Sequence, residues 1–83
     1  MNISFSDWRK AKEYVNLACK KASEESNRTI YWRIYEMYDG DRGIEILLFD
    51  DCELLNTWYS GIHNRYQDLV NSIDKHIKEA MCY

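Results

Sequence analysis

The chain of 83 residues has no proline and only three glycines. Flexible linkers and disordered segments are usually enriched in these residues, so we expect neither. The hydrophobic share of 46% and the charged share of 30% are ordinary for a soluble globular protein. A chain of this length has room for one hydrophobic core. We therefore expect a single small domain over residues 1–83.

Cysteine is also scarce and scattered. Cys19, Cys52 and Cys82 are odd in number and include no Cys-x-x-Cys pair, which argues against a disulfide framework or a zinc site. The first residues, MNISFSDW, lack the basic and apolar regions of a signal peptide. No apolar run approaches the roughly 18 residues of a membrane-spanning helix. These absences predict a cytoplasmic protein with reduced thiols and no membrane association.

Helical periodicity is clear in two segments. Residues 6–26 place apolar side chains at spacings of three, four and seven residues, with Ser6 as the predicted N-cap. The apolar stripe of this helix consists of Trp8, Ala11, Val15, Ala18, Cys19 and Ala22. Residues 63–81 form a second such helix, with the stripe Tyr66, Leu69, Val70, Ile73, Ile77, Ala80 and Met81. The sequence NIS and Phe5, before the first helix, are compatible with a further short strand.

Two strands are predicted between these helices. Residues 30–38, IYWRIYEMY, and residues 44–50, IEILLFD, flank the sequence DGDRG, in which Asp-Gly supplies the positive φ of a tight hairpin turn. Alternation places Ile44, Ile46 and Leu48 on one face of the second strand and Glu45, Leu47 and Phe49 on the other. We expect Ile30, Trp32 and Ile34 of the first strand to share the core face with the first group. Both strands therefore carry apolar side chains on both faces. Either helices cover both faces of the hairpin, or one face is kept for a partner.

The segment DDCELLNTWYSG, residues 50–61, is predicted to be a short helix. Asp50 or Asp51 would be its N-cap, Glu53 would complete a capping box, and Gly61 would end it. Its inner face would consist of Leu54, Leu55, Trp58 and Tyr59. The predicted fold is therefore α+β, with an N-terminal helix, an antiparallel hairpin and two C-terminal helices.

Catalytic chemistry is poorly indicated. Cys52 falls in the first turn of the predicted short helix, where a thiolate is favoured, and His63 and His76 are the candidate bases. No motif joins them into a nucleophile and its base. The acidic residues of DGDRGIE do not follow the ligand spacing of a calcium loop, and there is no glycine-rich phosphate loop. We predict a protein that is not an enzyme and uses no metal or cofactor.

The acidic residues and the tyrosines point to protein binding. Residues 36–53 contain seven carboxylates and one cation, Arg42. Tyrosine patches rimmed by charge are common interface anchors, and an acidic rim suits a basic, nucleic-acid-handling protein. The predicted partner-binding residues are Tyr31, Arg33, Tyr35, Glu36, Tyr38, Asp39, Asp41 and Glu45. A homodimer that uses the same surface is an alternative.

Direct binding of RNA or DNA to this surface is disfavoured. Bases can stack on the tyrosines of a sheet, but phosphates also require cations, and Arg33 is the local cation. A more basic surface lies on the first helix, with Arg9, Lys10, Lys12, Lys20 and Lys21. A small nucleic-acid-binding regulator that uses this helix face is therefore a second alternative function.

Residues 49–62, FDDCELLNTWYSGI, resemble the strand-to-helix junction of small phage anti-CRISPR proteins that act on type I surveillance complexes. The shared pattern consists of Phe49, Asp50, Glu53, Leu55, Trp58, Gly61 and Ile62. The upstream sequence WRIYEMYDG is similar to that family's strand and hairpin turn, and the resemblance spans roughly residues 32–80. That family begins with strands, whereas this chain begins with a helix, so no binding residue is carried over.

The resemblance implies an inhibitor in the cytoplasm of a bacterial host. Such a protein blocks a CRISPR effector by occupying a subunit surface, without catalysis. The small size and acidic composition also fit an immunity protein or antitoxin that neutralises a basic nuclease toxin, and this is the first alternative.

Overall fold

The structure, a computed structural model, describes residues 3–83. Five elements follow one another along the chain: α1 (Phe5–Ser26), β1 (Thr29–Glu36), β2 (Arg42–Asp50), β3 (Glu53–Tyr59) and α2 (Tyr66–Cys82). The α+β class, the N-terminal helix and the hairpin are as predicted. The segment that follows the hairpin differs from the prediction.

Helix α1 starts two residues earlier than predicted. Ser4, and not Ser6, is the N-cap, and its Oγ accepts a hydrogen bond of 3.1 Å from the N–H of Asp7. Phe5 is the first helical residue, so the predicted strand around NIS and Phe5 does not form at Ser4 or Phe5; Asn2 lies outside the described residues. A serine at either position can cap a helix, and pattern alone does not distinguish the two.

The predicted apolar stripe of α1 faces the core. Its buried members are Trp8, Ala11, Val15, Cys19 and Ala22. Leu17, on the opposite side, is 67% exposed. The helix ends at Ser26 and is followed by the C-cap Asn27, which has a φ of 56°. Asparagine tolerates this left-handed conformation better than most residues.

The hairpin forms in the part of the chain where the sequence predicts it. Strands β1 and β2 are antiparallel, with Trp32 opposite Ile46 and Ile34 opposite Ile44. The turn is closed by the N–H of Met37, which donates to the carbonyl of Asp41 at 2.8 Å. Directly opposite residues share a face of the sheet, so the predicted grouping of Ile30, Trp32 and Ile34 with Ile44, Ile46 and Leu48 is confirmed.

The predicted short helix is wrong, because residues 53–59 form strand β3. Asp51, with a φ of 55°, turns the chain back instead of capping a helix, and β3 pairs with β2 in antiparallel orientation. Leu54, Leu55, Trp58 and Tyr59 fit either a helical stripe or two strand faces. Thr57, Trp58 and Tyr59 all have high strand propensity, and pairing satisfies the second edge of the apolar strand β2. A bulge around Leu55 shifts the register between Leu48 and Phe49.

The sheet has the order β1-β2-β3, and both helices pack on one of its faces. Helix α2 starts at Tyr66, three residues later than predicted, and its stripe is buried as expected at Leu69, Val70, Ile73, Ile77 and Ala80. These residues join the α1 stripe, Ile30, Ile44, Ile46 and Leu48 in one core cluster.

Among residues 3–83, no helix has the length and apolar character required to cross a membrane.

A polar contact links the two helices above this core. The hydroxyl of Tyr14 on α1 donates a hydrogen bond to Oδ1 of Asp74 on α2. This bond, together with partial burial, raises the pKa of Tyr14 to about 12. Burial likewise raises the pKa of the Cys19 thiol to about 12. Both groups are therefore neutral in the folded protein at physiological pH.

Candidate protein-binding surface

The side of the sheet opposite the helices is uncovered in the part of the chain that the structure describes. We call this side the open face. Its residues alternate with the core residues along all three strands, namely Tyr31, Arg33 and Tyr35 on β1, Glu45, Leu47 and Phe49 on β2, and Leu54, Thr57 and Tyr59 on β3. The predicted alternative in which helices bury both faces of the hairpin is therefore wrong.

An ion pair lies at the centre of the open face. Arg33 and Glu45 are directly opposite on β1 and β2, and Nε of Arg33 donates to Oε1 of Glu45. The Arg33 side chain is 66% exposed, whereas that of Glu45 is 2% exposed. The hydrogen bond and the charge of Glu45 raise the pKa of Arg33 above its ordinary value. Since Glu45 is buried and paired, its assignment to an exposed acidic rim is wrong.

Tyr35 is tied into the fold more firmly than a free contact residue. Its ring lies across Gly43, where an added Cβ would stand 2.6 Å from Cε1 of the ring. Its hydroxyl accepts a 3.1 Å hydrogen bond from the N–H of Gly61, and its ring contacts Tyr59 edge-to-face at 5.2 Å. An aromatic ring that covers a cross-strand glycine stabilises a strand pair, so Tyr35 shapes the open face.

The most exposed aromatics of the open face are Tyr31 and Tyr59. Tyr31 is 59% exposed and contacts Phe49 edge-to-face at 5.7 Å, and Tyr59 is 56% exposed. The sequence prediction missed Tyr59, because residues 53–59 are predicted to be a helix, whereas it places Phe49 on this face without counting it among the partner-binding residues. The alternation of Thr57 and Tyr59 with Asn56 and Trp58 was the signal that would have placed Tyr59 on the sheet.

Exposed carboxylates lie at both ends of the open face. At the hairpin end, Oε1 of Glu36 is 3.7 Å from Nε of Arg42, and Asp39 accepts the N–H of Asp41 at 3.1 Å. Tyr38, in the same turn, is fully exposed. At the other end, the β2–β3 turn contributes three further acids, namely Asp50, Asp51 and Glu53.

The molecule is therefore electrically polarised. Residues 33–53, which form most of the sheet and both turns, contain seven carboxylates and two arginines, whereas the rest of the chain has a small excess of cations. A field of this sign attracts basic partners and repels nucleic-acid phosphates.

The candidate catalytic residues do not meet. Cys52 lies exposed in the β2–β3 turn, and not at a helix N-terminus. His63 lies near the opposite end of the sheet, beside Gly40 of the hairpin, and Nε2 of His63 is 2.7 Å from the carbonyl of Ser60. Strand β2 spans nine residues, so its two ends are roughly 25 Å apart. His76, on α2, is 3.6 Å from Glu79. Within residues 3–83, no three Cys, His, Asp or Glu side chains are grouped as metal ligands.

The basic residues of α1 do not form a continuous cationic surface. Lys21 is 3.9 Å from Glu25, and the guanidinium of Arg9 lies 5.6 Å from the ring centre of Phe5. Glu13 and Glu24 interrupt the lysines along the helix. Phosphate binding requires several cations that act together, so the geometry gives this surface little support as a nucleic-acid site.

Comparisons with protein families, with curated proteins and with solved structures find no match to this chain. The segment that carries the resemblance to anti-CRISPR proteins, residues 49–62, consists here of the end of β2, a turn, strand β3 and the start of a loop. It is not the strand-to-helix junction of that family. The open face therefore has to be interpreted from its own geometry.

Proposed function

We propose that this protein is a non-catalytic inhibitor that binds a basic, nucleic-acid-handling protein through its open face. The observation that carries the proposal is an uncovered sheet face that presents Tyr31, Arg33 and Tyr59 between two acidic turns. Large rings with few rotatable bonds bury much area at low entropic cost, and a fixed arginine adds directional hydrogen bonds.

The inhibition would be competitive with nucleic acid. The acidic turns steer the protein toward a cationic groove of the partner and occupy the positions where phosphates would bind. Arg33 is fixed by Glu45, so little side-chain entropy is lost when its outward N–H groups bind an acceptor of the partner. The sequence resemblance adds a specific class of partner to this proposal, a type I CRISPR surveillance complex in a bacterial cytoplasm.

A mobility-shift competition tests this proposal. A purified type I surveillance complex is bound to labelled target DNA and titrated with the protein. We expect the DNA to be released at micromolar protein, and more salt to weaken the inhibition, because the association is steered by charge. Intact DNA binding at all protein concentrations would contradict the assignment to this class of partner.

The matched variants locate the surface. Substitution of both exposed rings, Tyr31→Ala with Tyr59→Ala, should weaken inhibition by about thirtyfold or more, which corresponds to about 2 kcal/mol for an anchor residue. Leu17→Ala, on the exposed side of α1, removes a similarly exposed apolar side chain from the other layer and should have no effect. Equal losses in the two variants would show that the open face is not the binding surface.

The immunity-protein alternative is separated by a second titration. If the protein inhibits a basic nuclease toxin and leaves the surveillance complex unaffected, the partner is the toxin, and the open face is still the proposed binding surface.

A further inference from the structure

The main-chain groups of β1 alternate between pointing toward β2 and pointing outward at the free edge, and Ile30 shows which residues point outward. The Oγ of Ser23 on α1 accepts from the N–H of Ile30 at 3.0 Å and donates to its carbonyl at 3.2 Å. Both main-chain groups of Ile30 therefore point away from β2. In an antiparallel ladder, alternate residues direct both groups to the same edge, so those of Trp32, Ile34 and Glu36 also point outward.

The hydrogen bonds on the other side of β2 independently confirm which residues of β1 point outward. Ile44, which lies opposite Ile34, donates its N–H to Oγ of Ser60 at 2.9 Å and accepts at its carbonyl from the N–H of Ser60 at 2.8 Å. Both groups of Ile44 are thus directed to the β3 side, and neither bonds Ile34. The outward groups of Ile34 follow from this pairing.

This edge is left open beyond Ile30. Within residues 3–83, no side chain caps the edge groups of Trp32 and Ile34 as Ser23 caps those of Ile30. Strand β1 also runs in regular register with β2 and contains no proline, whereas the other edge strand, β3, is interrupted by a bulge. Native proteins usually protect such edges with prolines, bulges or covering segments.

A groove of about 430 Å³ runs beside this edge, between α1 and β1. Its lining includes Asn16, Ser23 and the opposite charges of Lys20 and Glu24 on α1, and Ile30 and Trp32 on β1. An added strand would direct alternate side chains into this groove and the others toward the open face, beside Tyr31. A helix beside an open strand edge is a geometry that accepts extended peptides.

The charge of the sheet selects the occupant. An added strand that continues past Glu36 reaches the hairpin, where the acid Asp39 is exposed and the acid Asp41 is partly exposed. A second copy of this chain, added through its own β1 about a two-fold axis, would bring the start of that strand, with Arg28, to this hairpin, and its acidic β2–β3 turn would lie one strand further away. The second copy thus presents one cation followed by the acids Asp50, Asp51 and Glu53. A segment with several lysines or arginines presents cations alone to the acids of the hairpin.

We propose that β1 accepts an extended, lysine- or arginine-rich segment of a protein partner as a fourth strand, hydrogen-bonded to the outward main-chain groups of Trp32, Ile34 and Glu36. This inference rests on the proposed function for the charge of the partner. It adds a main-chain mode of recognition at the sheet edge to the side-chain contacts of the open face.

Amide hydrogen exchange tests the proposal residue by residue. The probe is a ten-residue peptide of alternating lysine and valine, added to the ¹⁵N-labelled protein. In the free protein, Trp32 and Ile34 should exchange fast, while Tyr31 and Arg33 are protected by the ladder with β2. With peptide at 90% occupancy, exchange at Trp32 and Ile34 should slow roughly tenfold, because only the free tenth of the molecules exchanges.

Two controls make the result specific. Ile34→Pro removes an outward donor without breaking the ladder to β2, which proline tolerates on an edge strand, and it should abolish the protection. Thr57→Pro makes the same change at an outward position of β3 and should leave the protection unchanged. Circular dichroism of both variants verifies that each is folded; if Ile34→Pro unfolds, the alternation of protection in the wild-type protein still decides.

The outcomes are distinct. No slowing at Trp32 and Ile34, or equal slowing along β1 without alternation, would overturn strand addition. Protection by an alternating glutamate–valine peptide as strong as by the lysine peptide would overturn the charge assignment. Peptide-free protection that rises with protein concentration would identify a second copy as the occupant instead. The competition with target DNA is a separate readout, so strand addition can fail while the proposed function of the open face stands.

Discussion

The two faces of the sheet are built from the same three strands but differ in chemistry. The centre of the face under the helices consists of Ile30, Ile44, Ile46 and Leu48, each at most 2% exposed. The open face carries tyrosines in edge-to-face contact with other rings and an ion pair. Aliphatic side chains without polar atoms suit permanent burial, whereas tyrosine and arginine keep one end in water. The difference indicates which face maintains the fold and which remains available to a partner.

The open face is nevertheless ordered before any partner binds. Leu47 and Glu45 are buried on it without any helix above them, because the side chains of neighbouring strands lie over them. Tyr35 is held by Gly61 and Tyr59. A surface that is already fixed in place loses less entropy on binding, which is the property that an interface of a small protein requires.

The largest difference between the faces is expected in stability. Ile46→Ala, on the helix side, should reduce the free energy of unfolding by about 2–5 kcal/mol, because it leaves a cavity in a closed core. Tyr31→Ala, on the open face, should change it by about 1 kcal/mol or less, since the ring is already largely in water. Urea unfolding followed by circular dichroism measures both. Equal losses would mean that the open face is a second core.

A smaller loss of stability is expected where the ring of Tyr35 lies over Gly43. Gly43→Ala should destabilise the protein by about 1–3 kcal/mol, because the added methyl group collides with the ring of Tyr35. In a Tyr35→Ala background the same change should cost little, since the ring is absent. The double-mutant cycle therefore measures the coupling of the two residues. Additive effects would contradict the close approach of ring and glycine.

The central ion pair should respond asymmetrically. Arg33→Gln leaves the buried Glu45 carboxylate without its cation, whereas Glu45→Gln leaves an arginine that is already mostly in water. We therefore expect the arginine variant to be the less stable of the two, and the double variant to recover part of the loss. Thermal unfolding of the three variants at one pH gives the order. A less stable Glu45→Gln would reverse the roles assigned to the pair.

A separate dependence of stability on alkaline pH belongs to the helix layer. The folded protein holds the pKa of both Tyr14 and Cys19 at about 12, above the ordinary values of 10.0 and 9.0. A raised pKa adds stability that is complete below the unfolded value and is lost as the pH rises through the folded value. Stability should therefore fall between about pH 9 and 12. Tyr14→Phe with Cys19→Ala should flatten this fall, and an unchanged slope would contradict the two assignments.

Periodicity predicted the elements that pack against one another. The stripes of α1 and α2 and the alternation of β1 and β2 each have one consistent period, so the core face was predictable. Residues 53–59 form a strand although their pattern predicts a helix, because Leu54, Leu55, Trp58 and Tyr59 satisfy two periods. The choice between them depends on a distant partner, the free edge of β2.

The candidate surface was predictable only in part. Residue type and alternation identified Tyr31, Arg33 and Tyr35, but Tyr59 depended on the missed strand. The burial of Glu45 was not predictable from charge counting. It follows from its position opposite Arg33 on the central strand and from the rings beside it, and neither is visible before the register is known.

Hydrogen exchange of the protein bound to a purified type I surveillance complex tests the division between the two faces most directly. We expect slower exchange in the β-sheet, in residues 29–36 and 53–59, with the exchange of α1 and α2 unchanged. Protection confined to the helices, with none in the sheet, would contradict it.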